Sequence, residues 1–160
     1  MTKIELPEEI EVDEPYGWQL QVMDIIKEEP DERTIHWFWE PKGGVGKSSL
    51  VKYLWHKHKA TVIAGKGSDI LKAMLKVNEP KIVLFDIPRA NSKYIPISAL
   101  ESIKNGLIVS GRHGGAKVFN PPHVIVFASI PPKLEDMSSD RWNVVEVGLV
   151  ASGRSTISNR

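Results

Sequence analysis

A chain of 160 residues, 41% hydrophobic and 26% charged, has the size and composition of one domain able to bury its own core. It has no cysteine, which excludes a disulfide framework and a cysteine metal site. No stretch approaches the roughly 20 apolar residues of a membrane span. A net charge of +1 leaves any nucleic-acid contact to local basic clusters rather than to a global field.

Residues 1–16 mix acids with Pro7 and Pro15, carry no apolar signal core, and read as a flexible acidic lead-in. The spacing of Trp18, Leu20, Val22, Met23, Ile25 and Ile26 predicts a helix over 17–28, ended by Pro30 and Asp31. The β-branched and aromatic run Thr34 to Trp39 predicts a strand. A glycine loop at Lys42 to Gly46 follows, then a helix over 47–58 with Leu50, Val51, Leu54 and Trp55 on one face. A short strand is expected at 61–64 and a helix at 68–77. Ile82 to Asp86 is an apolar run closed by an acid, the pattern of a buried parallel strand. A helix over Ile97 to Ile103 comes next. Two apolar runs around Gly111, Gly114 and Gly115 suggest a β-hairpin between Gly106 and Phe119. Strands are expected at His123 to Ser129, stopped by Pro131 and Pro132, and at Asn143 to Val150. Residues 151–160 read as a small polar tail. The chain thus divides into 1–16, one domain over 17–150, and the tail. Strands alternating with helices give an α/β fold with a mainly parallel central sheet flanked by helices. Such sheets bind ligands at the carboxyl ends of their strands, where every motif below falls.

Gly43-Gly44-Val45-Gly46-Lys47-Ser48 lies between a predicted strand and a predicted helix, the context that a P-loop requires. The glycines let backbone N–H groups converge on an anion, and the helix N-terminus adds its positive end. Lys42, Gly43, Gly44, Val45, Gly46, Lys47, Ser48 and Ser49 are therefore the expected ATP-binding residues. Lys47 is expected to reach the β- and γ-phosphates, and Ser48 to ligate Mg²⁺. Pro41 stands where the full pattern has its first glycine, and it removes an N–H from the loop entry. The plain alternative is a glycine turn before an amphipathic helix.

Asp86 closes a run that looks like a Walker B strand, beside the phosphates and Mg²⁺. Many ATPases place a second acid next to orient the attacking water, whereas this chain continues Ile87-Pro88-Arg89. Asp86 is either the metal acid or, with Phe85 in the metal acid's place, the base. Glu101 is a weaker candidate for positioning the water. Lys104, Arg112, His113 and Lys117 cluster around the glycine-rich hairpin and can track the phosphates of a single DNA strand; an exposed turn is the plain alternative. Ser129 ends its strand where a polar side chain can bond a γ-phosphate or the attacking water, or merely start the Pro131-Pro132 turn. Arg141 can serve a neighbouring subunit's nucleotide, or make a surface ion pair with Asp140 or another acid. His36, His56, His58 and His123 show no zinc spacing and read as structural or exposed. Trp37, Trp39 and Trp55 are expected in the core.

Taken as an ordered set, 40–48, 82–89, 104–119 and 123–132 resemble the Walker A, Walker B, basic-hairpin and motif C segments of superfamily 3 helicases. FDIPR (85–89), ESIKNG (101–106), PPHVIVFAS (121–129) and SSDRW (138–142) are similar to the helicase domain of replication initiator (Rep) proteins from small circular single-stranded DNA viruses, of the circovirus and nanovirus kind. The resemblance covers about residues 17–148. It implies an AAA+-like P-loop ATPase that forms a ring, typically a hexamer, and moves on single-stranded DNA with 3′-to-5′ polarity. It implies ATP and Mg²⁺ as cofactors, Lys47, Asp86, Ser129 and Arg141 as catalytic residues, and Ser48 and Asp86 at the metal. It also implies Lys117, with Arg112 or Lys104, facing DNA in the pore, and work in a host nucleus. In the family an endonuclease domain precedes the helicase. His56-Lys57-His58 does not fit its metal motif, so this chain is expected to lack it. Ser129 stands where the family has Asn, a departure that, like Pro41, can slow hydrolysis without abolishing binding. Three alternatives share the P-loop: an assembly module that holds ATP and turns it over poorly, an ATPase of an RNA virus, and a small-molecule kinase, for which no arginine-rich lid is visible.

Overall fold

The computed structural model describes residues 17–41, 47–65, 67–87, 96–110, 115–133, 140–149 and 155–159. In chain order they form α1 (Gly17–Lys27), β1 (Ile35–Trp39), α2 (Lys47–His58), β2 (Thr61–Ile63), α3 (Gly67–Leu75), β3 (Ile82–Asp86), α4 (Ile97–Asn105), β4 (Leu107–Ser110), β5 (Gly115–Val118), β6 (His123–Ala128), β7 (Trp142–Leu149) and β8 (Ser155–Asn159). The expected elements are all present, with ends displaced by a residue or two. The addition is β8, inside the segment expected as a polar tail. It pairs antiparallel with β7, from Val145↔Asn159 to Leu149↔Ser155.

Six strands make one sheet in the order β2-β3-β6-β1-β7-β8, and the first five are parallel. Central strands covered on both faces must be apolar throughout. All six residues of β6 are buried, and Ile82 to Phe85 of β3 with them. On one face Trp37, Val83, Phe85, Val124 and Val126 pack against Ile70 and Met74 of α3 and Leu100 and Ile103 of α4. On the other, Phe38, Leu84, Ile125 and Phe127 pack against Trp18 and Val22 of α1 and Leu50 and Leu54 of α2. Trp18, Phe38 and Phe127 meet in tilted and edge-on ring contacts 5.9–6.2 Å between centroids. Trp55, expected in the core, is instead 41% exposed. The buried stripe of α2 runs through Leu50 and Leu54, and a residue one step further round the helix faces outward.

The hairpin β4–β5 stands apart from the main sheet and packs against α3 and α4. Its register, Leu107↔Val118, Ile108↔Lys117 and Val109↔Ala116, puts Ile108 on the inner face. Ile108 is buried there, while Leu107, Val109 and Val118 on the outer face are 50%, 60% and 77% exposed. The hairpin hangs from Gly106, which ends α4 in the left-handed region at φ 78°. Its N–H bonds Ile103 O at 3.0 Å, and its carbonyl accepts from Phe119 N–H at 2.8 Å. A Cβ at Gly106 would collide with Phe119 O, so no other residue fits this corner. Among the described residues no helix is long and apolar enough to cross a membrane.

Candidate nucleotide site

Parallel pairing brings the carboxyl ends of β3, β6 and β1 level. Asp86 and Phe38 both register with Phe127, and Trp39 registers with Ala128 one residue further on. Lys47 opens α2, and its Nζ donates to Ala128 O at 3.0 Å. The Glu40 N–H donates to the same carbonyl at 3.1 Å, and the Ile87 N–H to Phe127 O at 2.9 Å. Lys47, Asp86 and Ser129, far apart in sequence, therefore gather where β1, β3 and β6 end. Burial raises the Asp86 carboxyl above its ordinary range, and the Lys47 ammonium opposes that rise. The mutual influence of these two groups is the electrostatic signature of the site. Ser48 and Ser49 are exposed on the first turn of α2. Lys42 to Gly46 lie outside the described residues. Ser129 is 7% exposed, and among the described residues its hydroxyl has no hydrogen-bond partner. The Trp39 indole N–H is likewise buried without one.

Magnesium held between protein and phosphates takes one or two protein oxygens and needs no cage of its own. No group of three or more His, Cys, Asp or Glu is placed to hold a metal among the described residues. Two hard oxygen donors, the Ser48 hydroxyl and the Asp86 carboxylate, fit a phosphate-bound Mg²⁺.

Two expectations change on the opposite rim, at the amino ends of the strands. Lys104 does not face DNA from the hairpin: its side chain is 1% exposed. Its Nζ donates to Pro122 O at 2.7 Å and lies 3.3 Å from Asp31 Oδ1. Helix α4 buries Ala99, Leu100 and Ile103, and the next residue, Lys104, goes in with them. Burial lowers the Lys104 pKa while Asp31 opposes the change. Burial would raise the Asp31 carboxyl, but hydrogen bonds from Thr34 and Arg33, with Lys104 nearby, hold it well below the usual range. Arg141 pairs with an acid, as one alternative expects, but the acid is Glu101 and the arginine is buried rather than on the surface; Asp140 bonds Arg33 at 2.9 Å. Arg141 is 8% exposed, donates to Arg33 O and to Asn105 Oδ1, and lies 3.6 Å from Glu101. Its carbonyl accepts from the N–H of Ile35, the first residue of β1, whereas Lys47 follows the last. Arg141 and its ion partner Glu101 are thus remote from the P-loop lysine of their own chain. Lys117 is half-buried on the inner face of the hairpin, beside Ile108 in the pleat, and Arg112 and His113 lie outside the described residues.

Of the histidines, His123 is buried with Nε2 2.8 Å from Glu28 O, and His36 Nδ1 lies 3.0 Å from Asn143 Nδ2. His56 and His58 are exposed. Sequence reasoning passed over Glu40, which is 3% exposed at the end of β1. The available signal was an acid closing a β-aromatic run just before the glycine loop, as Asp86 closes its own.

No protein-family model matches the chain. It is 36% identical over 132 residues to Para-Rep C9 of Faba bean necrotic yellows C9 alphasatellite, covering 81% of this chain and 47% of that protein. It is 33% identical over 131 residues to Para-Rep C6 of Subterranean clover stunt C6 alphasatellite, covering 80% and 46%. With the master replication protein of Faba bean necrotic yellows virus it shares 36% over 133 residues, covering 78% and 46%. The chain therefore spans about half the length of the curated relatives it matches. The structure of a P216G mutant of Thermotoga maritima RuvB superposes with a TM-score of 0.53 at 15% identity, over 91% of this chain and 50% of that one, a likeness of fold alone. The chain has the α/β fold of an AAA+-like P-loop NTPase, and over four fifths of its length it is homologous to the Para-Rep and master replication proteins of nanoviruses and their alphasatellites.

Proposed function

We propose that this chain is the ATPase and helicase part of a viral rolling-circle replication initiator, moving 3′-to-5′ on single-stranded DNA as a homo-oligomeric ring of six in a host nucleus. The observation that carries the ATPase reading is Lys47 Nζ held on Ala128 O, in electrostatic contact with a half-buried Asp86, at the ends of three parallel strands. A cation fixed at a helix N-terminus beside a partly desolvated acid is a seat for a metal-bound polyphosphate. The relatives' names, Para-Rep and master replication protein, support the replication role.

In this reading ATP lays its phosphates across residues 42–49, and the Lys47 ammonium exchanges Ala128 O for β- and γ-phosphate oxygens. Ser48 and Asp86 would hold Mg²⁺, which neutralises phosphate charge when bound. The Ser129 hydroxyl, without a partner among the described residues, supplies a hydrogen bond to the γ-phosphate or the attacking water. DNA contact falls to Lys117, Arg112 and His113, with the endonuclease domain on a part of the protein beyond this chain. Arg141 can act only at a neighbour's nucleotide, and only after leaving Glu101 and Asn105.

Replacing Lys47 by Ala should weaken Mg-ATP binding by on the order of 10- to 100-fold, the value of a hydrogen bond to a charged group. Calorimetry decides the matter, and unchanged affinity removes the P-loop assignment. A second reading, an ATP-holding assembly module with poor turnover, draws on the missing acid after Asp86. Phosphate release measured with and without single-stranded DNA separates the two, since a module gains nothing from DNA.

A further inference from the structure

Many ATPases use a second acid to orient the attacking water, and β3 does not supply one. It passes from Asp86 to Ile87, which is 4% exposed, and then to Pro88. Glu101 is committed to Arg141 at the far rim. Glu146 of β7 registers with Trp39, so β1 and β6 separate it from Asp86. Glu40 is placed differently. It follows the last residue of β1, is 3% exposed, and its N–H shares Ala128 O with the Lys47 ammonium. Only β6 lies between its strand and that of Asp86. A carboxyl group buried to this degree is rare outside paired networks and functional sites. Glu40 and Lys47 each make further interactions within the chain.

We propose that Glu40 is the acid that orients and deprotonates the attacking water, supplying from the end of β1 what β3 lacks. The inference rests on the P-loop ATPase reading. The water oxygen forms a bond to the γ-phosphorus. The bond from that phosphorus to the β,γ-bridging oxygen breaks, and its electron pair leaves on ADP. The water's proton passes to the Glu40 carboxylate and from there to the released phosphate. A base fixed within hydrogen-bond reach of the proton it takes contributes about 10²- to 10⁴-fold in rate.

Glu40→Gln keeps the shape of the side chain and removes its charge. Mg-ATP affinity by calorimetry should stay within about threefold of wild type, while phosphate release in the presence of single-stranded DNA falls by about 100-fold or more. Glu40→Asp should retain partial turnover with a displaced acidic limb in its pH–rate profile, which a purely structural glutamate would not cause. Thermal unfolding checks that both variants are folded. If Glu40→Gln does not fold, Glu40→Asp decides: wild-type turnover with an unmoved limb overturns the proposal. Full turnover in folded Glu40→Gln, loss of ATP binding along with turnover, or a wild-type chain that binds Mg-ATP and leaves it intact with DNA present also overturns it. Failure of the P-loop reading shows elsewhere, as unchanged ATP affinity in Lys47→Ala.

Discussion

At the amino ends of the strands the chain closes most of its polar groups on one another. Lys104 takes Pro122 O and Asp31, Arg141 takes Asn105, Glu101 and Arg33 O, and His123 takes Glu28 O. At the carboxyl ends the balance shifts: among the described residues Ser129 Oγ and Trp39 Nε1 are buried without partners there, against Trp142 Nε1 at the amino rim, and a half-buried Asp86 answers to the Lys47 ammonium. Buried polar groups without partners cost stability, so a fold keeps them where something else gains. The two rims show how one sheet divides its labour, with one end largely satisfied by its own residues and the other left for a ligand to complete.

The contrast is sharpest in stability. Lys104→Ala should cost about 3 kcal/mol in urea unfolding, because it strands Pro122 O and empties a buried site filled by an aliphatic stem. ATP affinity should be unaffected. A loss of ATP affinity with full stability would break the division between the rims.

The amino rim should also carry the acid sensitivity of the fold. Burial pushes the His36 pKa from the ordinary 6.5 down to about 4; Lys104 and His123 add to the shift and Asp31 opposes it. The folded value lies below the unfolded one, so neutral His36 contributes stability above pH 6.5 that is lost as the pH falls towards 4. His123 is lowered too, chiefly by burial, and adds loss in the same direction. Lowering the pH from 7 to 4.5 should therefore cost about 2 kcal/mol, and His36→Gln should remove part of that dependence. A wild-type unfolding midpoint that does not move over this range would count against the closed amino rim.

Ser129→Ala should have the smallest effect and the opposite sign. Removing a buried hydroxyl that has no partner among the described residues should leave stability unchanged or raise it by up to about 1 kcal/mol, while phosphate release slows. A clear loss of stability would mean that Ser129 belongs with the structural residues of the other rim.

The P-loop lysine and the acid of β3 were legible because their signals are local. A glycine loop between a strand and a helix, and an apolar run closed by one acid, need no knowledge of distant contacts. Lys104 was misplaced because a count of cations near a hairpin does not reveal which side of α4 each occupies; Ala99, Leu100 and Ile103 carry it inward. Trp55 was misplaced for the converse reason, since Leu50 and Leu54 turn their side of α2 inward and leave it out. Strand β8 has no apolar alternation to announce it, and its ladder with β7 is made by main-chain groups that any sequence carries. Glu40 carried a local signal, an acid closing an aromatic run before the glycine loop, but its burial was not legible, because that depends on β6, paired to β1 from about ninety residues away.

That same pairing bears on how the chain is made. Strand β1 has no neighbour in the sheet from the first half of the sequence: Ile35 pairs with Val124 on one side and Trp142 on the other. During synthesis Trp37, Phe38 and Trp39 emerge long before either partner exists. Long-range parallel pairing is slow because loop closure must precede any gain from contact. An aromatic strand waiting in that state is open to pairing with other chains. Yield in a heterologous host should thus respond to temperature and chaperone supply more than the stability of the finished fold would suggest.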